Sequence, residues 1–300
     1  MREEIKHAIL AGADYLISHQ GPDGHWQEYR LPVGASDAWV TAYIGLALQG
    51  AALDGASPAA RMAAERAAEW LIGHRPYPAG WGYNGTTGAD ADSTAHAVAL
   101  IRAVGIAVPP QDTEWLLDRW QPGGGFATFA GPGSWGCAHL DITPICFRAL
   151  DTCDQARLRP ALLEYLRLSR RADGSWPSYW WRTCFYTTHA CLQLIEELEH
   201  DSIPVTGLAA MHEVNNINSA FDLAFAAGIA ALAGQHELRG TLANELLRHQ
   251  RRDGSWAGAE ELRVTDPGCY RPWEQPQGRL YADLKGLMAT ATSISILRRL

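Results

Sequence analysis

The sequence predicts an all-α protein, an (α/α)6 barrel of six outer and six inner helices that forms a single domain over residues 1–300. A helix, a glycine turn and an aromatic residue recur in that order along the chain, and amphipathic helices alternate with strongly apolar ones. No period-2 run of β-branched residues is long enough to predict a sheet. Six helix pairs joined head to tail can close into a ring, with the inner helices around a central cavity.

The repeated unit is clearest at its aromatic residue. The spacings are 55, 45 and 50 residues and then a gap of 80, between Trp26, Trp81, Phe126, Trp176 and Trp256. The long gap predicts a degenerate unit near 200–216. Glycine supplies the positive φ that ends a helix, and the aromatic ring fills the space between neighbouring pairs. We therefore interpret these turns as structural rather than as ligand sites.

The helices before the turns are amphipathic and those after the turns carry little charge on any face, which predicts an outer and a buried inner layer. In the helix at 60–73, for example, arginine and glutamate interrupt a run of alanines. The predicted inner helices are 36–48, 92–104, 141–150, 183–195, 219–232 and 289–297.

Composition limits the possible partners and location. The net charge of −8 argues against a nucleic-acid partner held by phosphate contacts. The six cysteines form no CxxC pair and several lie on apolar stretches, so we expect reduced core thiols in a cytoplasmic protein. No signal peptide or membrane span is predicted. A one-sided, peripheral membrane contact stays open, because lipid substrates need a route into the protein.

Two carboxylates, Asp90 and Asp92, stand two residues apart where an apolar helix begins, after a Gly-Trp turn. Burial and like-charge repulsion can keep one of the two protonated near neutral pH. A carboxylic acid in a dry, aromatic cavity can protonate a weak base such as an alkene. The alternative is that Asp90 is an N-cap and Asp92 a first-turn acid, and the surrounding repeat favours the catalytic interpretation.

The same residues resemble a known family. The pattern Gln-x-x-Asp-Gly-x-Trp at 20–26 and 250–256 resembles the QW motifs of squalene–hopene cyclases and related triterpene and diterpene cyclases. Segment 90–95, Asp-Ala-Asp-Ser-Thr-Ala, is similar to their Asp-x-Asp-Asp-Thr-Ala motif, which marks class II, protonation-initiated terpene cyclases. The resemblance implies an isomerase with Asp92 as the general acid, and Asp90 and Ser93 as its catalytic neighbours. Ser93 replaces the last aspartate of the motif, so that role is lost or reduced to hydrogen bonding.

The resemblance also implies a substrate class. The chain has the length of one barrel, as in single-domain bacterial cyclases that act on polyprenyl diphosphates or prenylated aromatic acids. The predicted ligand is a linear isoprenoid and the predicted product a fused-ring isomer. No cofactor or metal is expected, although Mg²⁺ would assist if the substrate carries a diphosphate. A diphosphate would need a basic patch at the cavity mouth, for which the candidates are Arg263, Arg271, Arg279 and Lys285.

Aromatic side chains on or near the inner helices are candidates to line the cavity, because ring faces stabilise moving positive charge. The candidate lining residues, with one acid, are Trp39, Tyr43, Trp135, Asp141, Trp180, Trp181, Phe185, Tyr186, Phe221, Phe225 and Tyr281. By resemblance, Trp180 and Tyr186 match an active-site tryptophan and tyrosine of the family, and Asp141 matches an Asp-x-Thr element. The family's histidine that supports the acid has no clear counterpart, and His139 or His96 could take its place.

The sequence leaves three alternatives to a terpene cyclase open. A zinc-dependent prenyltransferase β-subunit shares the barrel, and Asp266 and Cys269 faintly resemble part of its ligand set, but no histidine follows them. A barrel that binds isoprenoids without turnover is compatible with the altered motif. A glycan-processing barrel is a weaker alternative, because the sequence indicates no second acid pair opposite Asp92.

Overall fold

The computed structural model describes residues 2–53, 55, 57–199, 217–274 and 278–300. Over these residues the protein is mostly helical, with eleven α-helices and four short strands. The amphipathic helices that precede the turns are α1 (Arg2–Ser18), α3 (Pro58–Gly73), α5 (Pro110–Leu117), α7 (Thr152–Leu168) and α10 (His236–Arg248). The apolar helices are α2 (Ala38–Leu53), α4 (Ala91–Ala103), α6 (Thr143–Ala149), α8 (Phe185–Glu199), α9 (Ala220–Leu232) and α11 (Leu287–Leu297).

Burial separates the two sets as the charge pattern predicts. In α9, eleven of the 13 residues are buried. In α7, which carries charge on most of its surface, only four of 17 are buried, all of them leucines on one side. The apolar helices therefore supply most of the core, and each amphipathic helix contributes a stripe.

The six apolar helices contact one another in a closed cycle. Helix α2 contacts α4, α4 contacts α6, α6 contacts α8, α8 contacts α9, α9 contacts α11, and α11 contacts α2. Amphipathic helices lie against this cycle, with α3 on α2 and α4, and α10 on α9. Helices α4 and α9 are three steps apart in the cycle and therefore lie on opposite sides of it.

The turns repeat one set of hydrogen bonds. The indole Nε1 of Trp176 donates to the carbonyl oxygen of Leu166 (2.7 Å), ten residues earlier at the end of α7, and its main-chain N–H donates to the hydroxyl of Thr188 on α8 (3.1 Å). The tryptophans of three other turns make the same two bonds, at Trp26, Trp81 and Trp256. Each of these turns thereby ties an amphipathic helix to the next apolar helix.

The prediction that the chain forms no sheet is wrong. Strand β1 (Glu28–Leu31) pairs with β2 (Gly34–Ser36), and β3 (Glu260–Val264) pairs with β4 (Arg279–Ala282), both antiparallel. The strands have only three to five residues each, too few for alternation to be visible in the sequence. Because α2 follows β2 and α11 follows β4, these hairpins lie at the end of the cycle where the apolar helices begin.

Several helix boundaries also differ from the prediction, and the helix predicted over 36–48 spans Ala38–Leu53. The helix predicted over 141–150 begins at Thr143, next to a proline in its first turn, so Asp141 precedes it. The helix predicted over 183–195 begins at Phe185. The degenerate unit predicted near 200–216 lies outside the described residues. In the part of the chain that is described, no helix is both long and apolar enough to span a bilayer.

Candidate active site

Asp90 caps the first turn of α4. The main-chain N–H of Ser93 donates to Oδ1 of Asp90 and the Ser93 hydroxyl donates to Oδ2, both at 2.8 Å. Asp90 is 5% exposed. The capping interpretation is therefore correct for Asp90, and Ser93, which replaces an aspartate of the family motif, holds the capping carboxylate with two hydrogen bonds.

The Asp92 side chain is 20% exposed, so its carboxyl is more accessible than that of Asp90. Its Oδ1 lies 3.1 Å from Nδ1 of His96, one helical turn further along α4. That nitrogen is also 2.9 Å from the main-chain oxygen of Asp92. A main-chain oxygen can only accept, so Nδ1 of His96 carries the proton that it donates to the main-chain oxygen of Asp92. The contact between Nδ1 and Oδ1 of Asp92 is then one of charge rather than an aligned hydrogen bond. His96, and not His139, is the histidine beside the acid.

Asp90 and His96 both have a raised pKa in this site. Burial, and then the charge of Asp92, raise the pKa of Asp90 to about 7, against the hydrogen bonds from Ser93. Burial lowers the pKa of His96, but the charge of Asp92, the contacts with its side chain and main chain, and the charge of Asp90 together outweigh burial, and the net pKa is raised. Ionisation of Asp90 in this buried position, next to the charge of Asp92, is therefore disfavoured.

Trp181 joins aromatic rings from three helices of the cycle. Its ring centroid is 6.0 Å from that of Trp39 on α2, 4.9 Å from that of Tyr186 on α8 and 4.7 Å from that of Phe221 on α9. Phe225 extends the group, with its ring 4.9 Å from that of Phe221 in an edge-on arrangement. Five of the predicted lining residues are therefore brought together in one aromatic cluster.

Trp180 faces a second group of rings. Its centroid lies 5.6 Å from that of Trp135 and 4.9 Å from that of Tyr179. Asp141 binds the main chain of this segment, because its Oδ2 accepts hydrogen bonds from the main-chain N–H groups of Tyr179 (2.8 Å) and Trp180 (2.6 Å). We predicted Asp141 as a lining residue, but it is 1% exposed and binds the main chain of the segment that carries the tryptophans.

The other predicted lining residues are half-buried and pack against the same hydrophobic core. The Tyr43 hydroxyl is 2.7 Å from that of Thr292, and its ring is 5.5 Å from that of His96, which places Tyr43 beside the acid. Phe185 is the first residue of α8. Tyr281 lies on β4, where it is half-buried.

Of the basic residues predicted at the cavity mouth (Arg263, Arg271, Arg279 and Lys285), Arg263 lines a cavity together with two arginines that were not predicted. Arg263 is buried on β3 and donates to the carbonyl oxygens of Arg182 (2.7 Å) and Ser178 (3.4 Å). It lines a cavity of about 410 Å³ together with Arg171 and Arg182. This group of arginines could not be predicted from the sequence, because its members come from a turn, a loop and a strand.

A second buried acid pair contradicts the prediction that none lies opposite Asp92. Asp222 is in the first turn of α9, opposite α4, and it accepts a hydrogen bond from the Thr183 hydroxyl (2.6 Å). Burial, and then the charge of Glu261 on β3, raise the pKa of Asp222 to about 7. Nε of Arg182 is 3.5 Å from Glu261. Sequence reasoning missed the pair because its members are far apart in the chain.

The structure also bears on the possible metal ligands and on the cysteines. Among the described residues, no group of three or more His, Cys, Asp or Glu side chains is arranged to hold a metal ion. All six cysteines are free, and only Cys146 and Cys191 are buried, whereas Cys137 and Cys153 are exposed. The interpretation of the cysteines as core residues is therefore wrong for the two exposed ones.

No protein-family model and no curated protein matches this chain. Among solved structures it is similar to the apo type II terpene cyclase MstE from Scytonema, with 25% identity and a TM-score of 0.88 over 100% of this chain and 98% of that chain. The chain has the fold of the single-domain bacterial class II terpene cyclases. A variant of MstE in complex with its substrate, geranylgeranyl dihydroxybenzoate, is 24% identical with a TM-score of 0.84, over 99% of this chain and 97% of that chain. A variant in complex with its product, merosterolic acid A, is 24% identical with a TM-score of 0.81, over 98% and 96%.

Proposed function

We propose that the protein is a class II terpene cyclase in which Asp92 protonates a linear isoprenoid and starts its closure to a fused-ring isomer. The observation that carries this proposal is the pair of carboxyls, Asp90 and Asp92, at the start of α4, next to His96 and aromatic side chains. The likeness to MstE supports a prenylated aromatic acid as the substrate. Farnesyl and geranylgeranyl diphosphates are the alternatives.

The architecture belongs to the same proposal. The closed cycle of apolar helices and the repeated turn bonds support an (α/α)6 barrel with QW-type repeats, one domain over residues 1–300, whose interior is the reaction chamber. Free cysteines support a cytoplasmic location. The lipid substrate would reach the chamber through a peripheral membrane contact.

Asp92 is the member of the pair that can reach a substrate, because Ser93 occupies both oxygens of Asp90. In the first step the O–H bond of Asp92 breaks and a C–H bond forms at a terminal alkene carbon, which leaves a tertiary cation and an aspartate anion. A protonated His96, 3.1 Å from Oδ1, would stabilise that anion by its charge. Repulsion from an ionised Asp90 would oppose formation of the Asp92 anion. The raised pKa of Asp90 favours its protonated form and so limits that repulsion.

Ring closure then moves the cation along the chain as further double bonds attack in turn. The faces of Trp180, Trp181 and Tyr186 would stabilise it, each by about 0.5–2 kcal/mol where water is excluded. The final loss of a proton restores the mass of the substrate, so the net reaction is an isomerisation. No step in this sequence needs a metal ion, and Mg²⁺ would serve only to bind a diphosphate.

The arginine-lined cavity supports an anionic head group. Arg171, Arg182 and Arg263 surround about 410 Å³ in a protein whose net charge is −8. A guanidinium binds a carboxylate through two parallel hydrogen bonds and also binds phosphate. The carboxylate of a prenylated aromatic acid or a diphosphate would therefore be held there.

The test is turnover of a prenylated dihydroxybenzoate, farnesyl and geranylgeranyl diphosphates and squalene, followed by mass spectrometry. We expect isomers of unchanged mass from the wild type. Asp92→Asn should lower kcat by about 10²–10⁴-fold, the usual contribution of a general acid, and still bind substrate. Asp118→Asn, the same change at an exposed position, should leave kcat unchanged.

Three results would contradict the proposal. Unchanged turnover by Asp92→Asn would remove the assigned acid. Isoprenoid binding without any product would favour the non-catalytic barrel, and zinc-dependent transfer of a prenyl group would favour the prenyltransferase alternative.

A further inference from the structure

Thr128 connects the acid motif to the indole of Trp180. Its main-chain oxygen accepts the N–H of Ala91, the residue between the two aspartates (2.9 Å). Its hydroxyl oxygen accepts the indole N–H of Trp180 (2.9 Å). Thr128 is 4% exposed, so water does not compete strongly for either bond. One residue therefore holds both the main chain of the acid motif and the indole of Trp180.

His139 is the second side chain within hydrogen-bond distance of the Thr128 hydroxyl. Its Nδ1 lies 2.8 Å from the Thr128 hydroxyl oxygen. That oxygen accepts the proton of the indole, and its own hydrogen can be donated to Nδ1, a direction that requires the imidazole proton to be on Nε2. Burial lowers the pKa of His139 to about 3, so the ring is neutral. It stacks on Tyr179 at 4.0 Å, which fixes its plane.

We propose that Thr128 is a positioning residue, which holds the Trp180 ring at a fixed place relative to Asp92 and makes its face more electron-rich through a relay from the Trp180 N–H to the Thr128 hydroxyl to His139 Nδ1. This inference rests on the proposed function and deepens it. An indole that donates its N–H gains electron density in the ring, and hydrogen bonds in a chain strengthen one another. A neutral acceptor also adds no positive charge near a cationic intermediate.

The relay controls the ring and not the main chain. Oδ2 of Asp141 holds the main-chain N–H of Trp180 at 2.6 Å, independently of Thr128. Loss of the Thr128 hydroxyl would therefore free the indole to rotate while the segment stays in place. A cation that meets a misplaced ring face is stabilised less and loses its proton earlier, which produces incompletely cyclised isomers.

Thr128→Val removes the hydroxyl and keeps the branched shape, and Thr128→Ser keeps the hydroxyl. We expect Thr128→Val to lower kcat about three- to tenfold with little change in KM, as expected for the loss of one buried hydrogen bond, and to raise the share of incompletely cyclised product. Thr128→Ser should restore kcat and the product ratio. Trp180→Phe should match Thr128→Val, and the double variant should add little to either.

A matched control separates positioning from stability. Thr188→Val makes the same change at another buried threonine, whose hydroxyl accepts the main-chain N–H of Trp176 (3.1 Å). This variant should lower the melting temperature but keep the wild-type product ratio. Wild-type kcat and product ratio in Thr128→Val, or the same altered ratio in Thr188→Val, would overturn the positioning role.

The relay itself is tested without turnover. Long-range ¹H–¹⁵N spectra of wild-type protein between pH 5 and 8 should show His139 neutral with its proton on Nε2. A protonated ring, or a proton on Nδ1, would overturn the relay. A wild type that converts no substrate would overturn the proposed function instead, so the two failures are distinguishable.

Discussion

Replacing Asp90 with asparagine is expected to make the fold more stable at high pH than the wild type. The carboxyl has a pKa of about 7 in the folded protein against 3.8 as the unperturbed value, so the folded chain binds more protons than the unfolded chain between these values. Stability from protonated Asp90 is therefore fully present below pH 3.8 and is lost as pH rises through 7. At about 1.4 kcal/mol per pH unit, the complete loss is about 4 kcal/mol.

Asparagine avoids this loss and keeps the cap. Its Oδ1 can accept the N–H of Ser93 and its amide can donate to the Ser93 hydroxyl, and asparagine is as good an N-cap as aspartate. Between pH 5.5 and 8 the wild type should lose about 2 kcal/mol more than Asp90→Asn. Asp141 and Asp222, whose pKa values are also raised, are present in both proteins and cancel in the difference.

Urea unfolding of both proteins at pH 5.5 and pH 8, at equal ionic strength, measures this difference. Asp151→Asn provides the control, because Asp151 caps α7 through the N–H of Asp154 (2.8 Å) and is exposed to water. That variant should differ from wild type by a similar amount at both pH values. If the difference for Asp90→Asn also stays constant between the two pH values, burial does not keep Asp90 protonated and the reasoning about the acid pair fails.

Three further changes test the fold around the site. Gly254→Ala should cost more than about 2 kcal/mol in urea unfolding, because φ is +87° and a Cβ would lie 2.2 Å from a main-chain oxygen of α1, whereas Gly268→Ala, with open space around it, should be nearly neutral. Trp176→Phe should cost more than about 1 kcal/mol by calorimetry, since the bond to Leu166 is lost and the smaller ring leaves buried space unfilled, and an unchanged melting temperature would contradict this role. Asp141→Ala leaves two buried main-chain N–H groups without an acceptor and should cost about 2–4 kcal/mol, with a change in near-UV circular dichroism from the tryptophans they carry.

The sequence predicts those parts of the structure that depend on residues close together in the chain. A helix such as α9 is buried on all sides, so its residues are apolar on all sides, and the alternation with charged helices is visible without coordinates. The Asp90–Asp92 pair is visible for the same reason, since both carboxyls lie within one helical turn. The strands are not visible, because three to five residues carry too little pattern.

Contacts between distant segments are the part that could not be predicted. Asp222 and Glu261 are paired by the return of β3 across the start of α9, and no local pattern records that pairing. Thr128 carries no sequence signal at all, although it connects the acid motif to Trp180. The basic residues were sought in one late segment, and the structure instead groups arginines from a turn, a loop and a strand.

The charge distribution inside the cycle of apolar helices adds to the support for the proposed chemistry. Asp90, Asp141 and Asp222 each lie at or just before the start of an apolar helix, and burial raises the pKa of each to about 7. Burial lowers the pKa values of His139 and His189 to about 3, so these imidazoles are neutral. Apart from His96, whose pKa is raised, the interior thus holds carboxyl groups, neutral imidazoles and aromatic faces, an environment that stabilises a cation more than an anion. A reaction through carbocations gains from this arrangement, whereas one that builds up negative charge would be opposed by it.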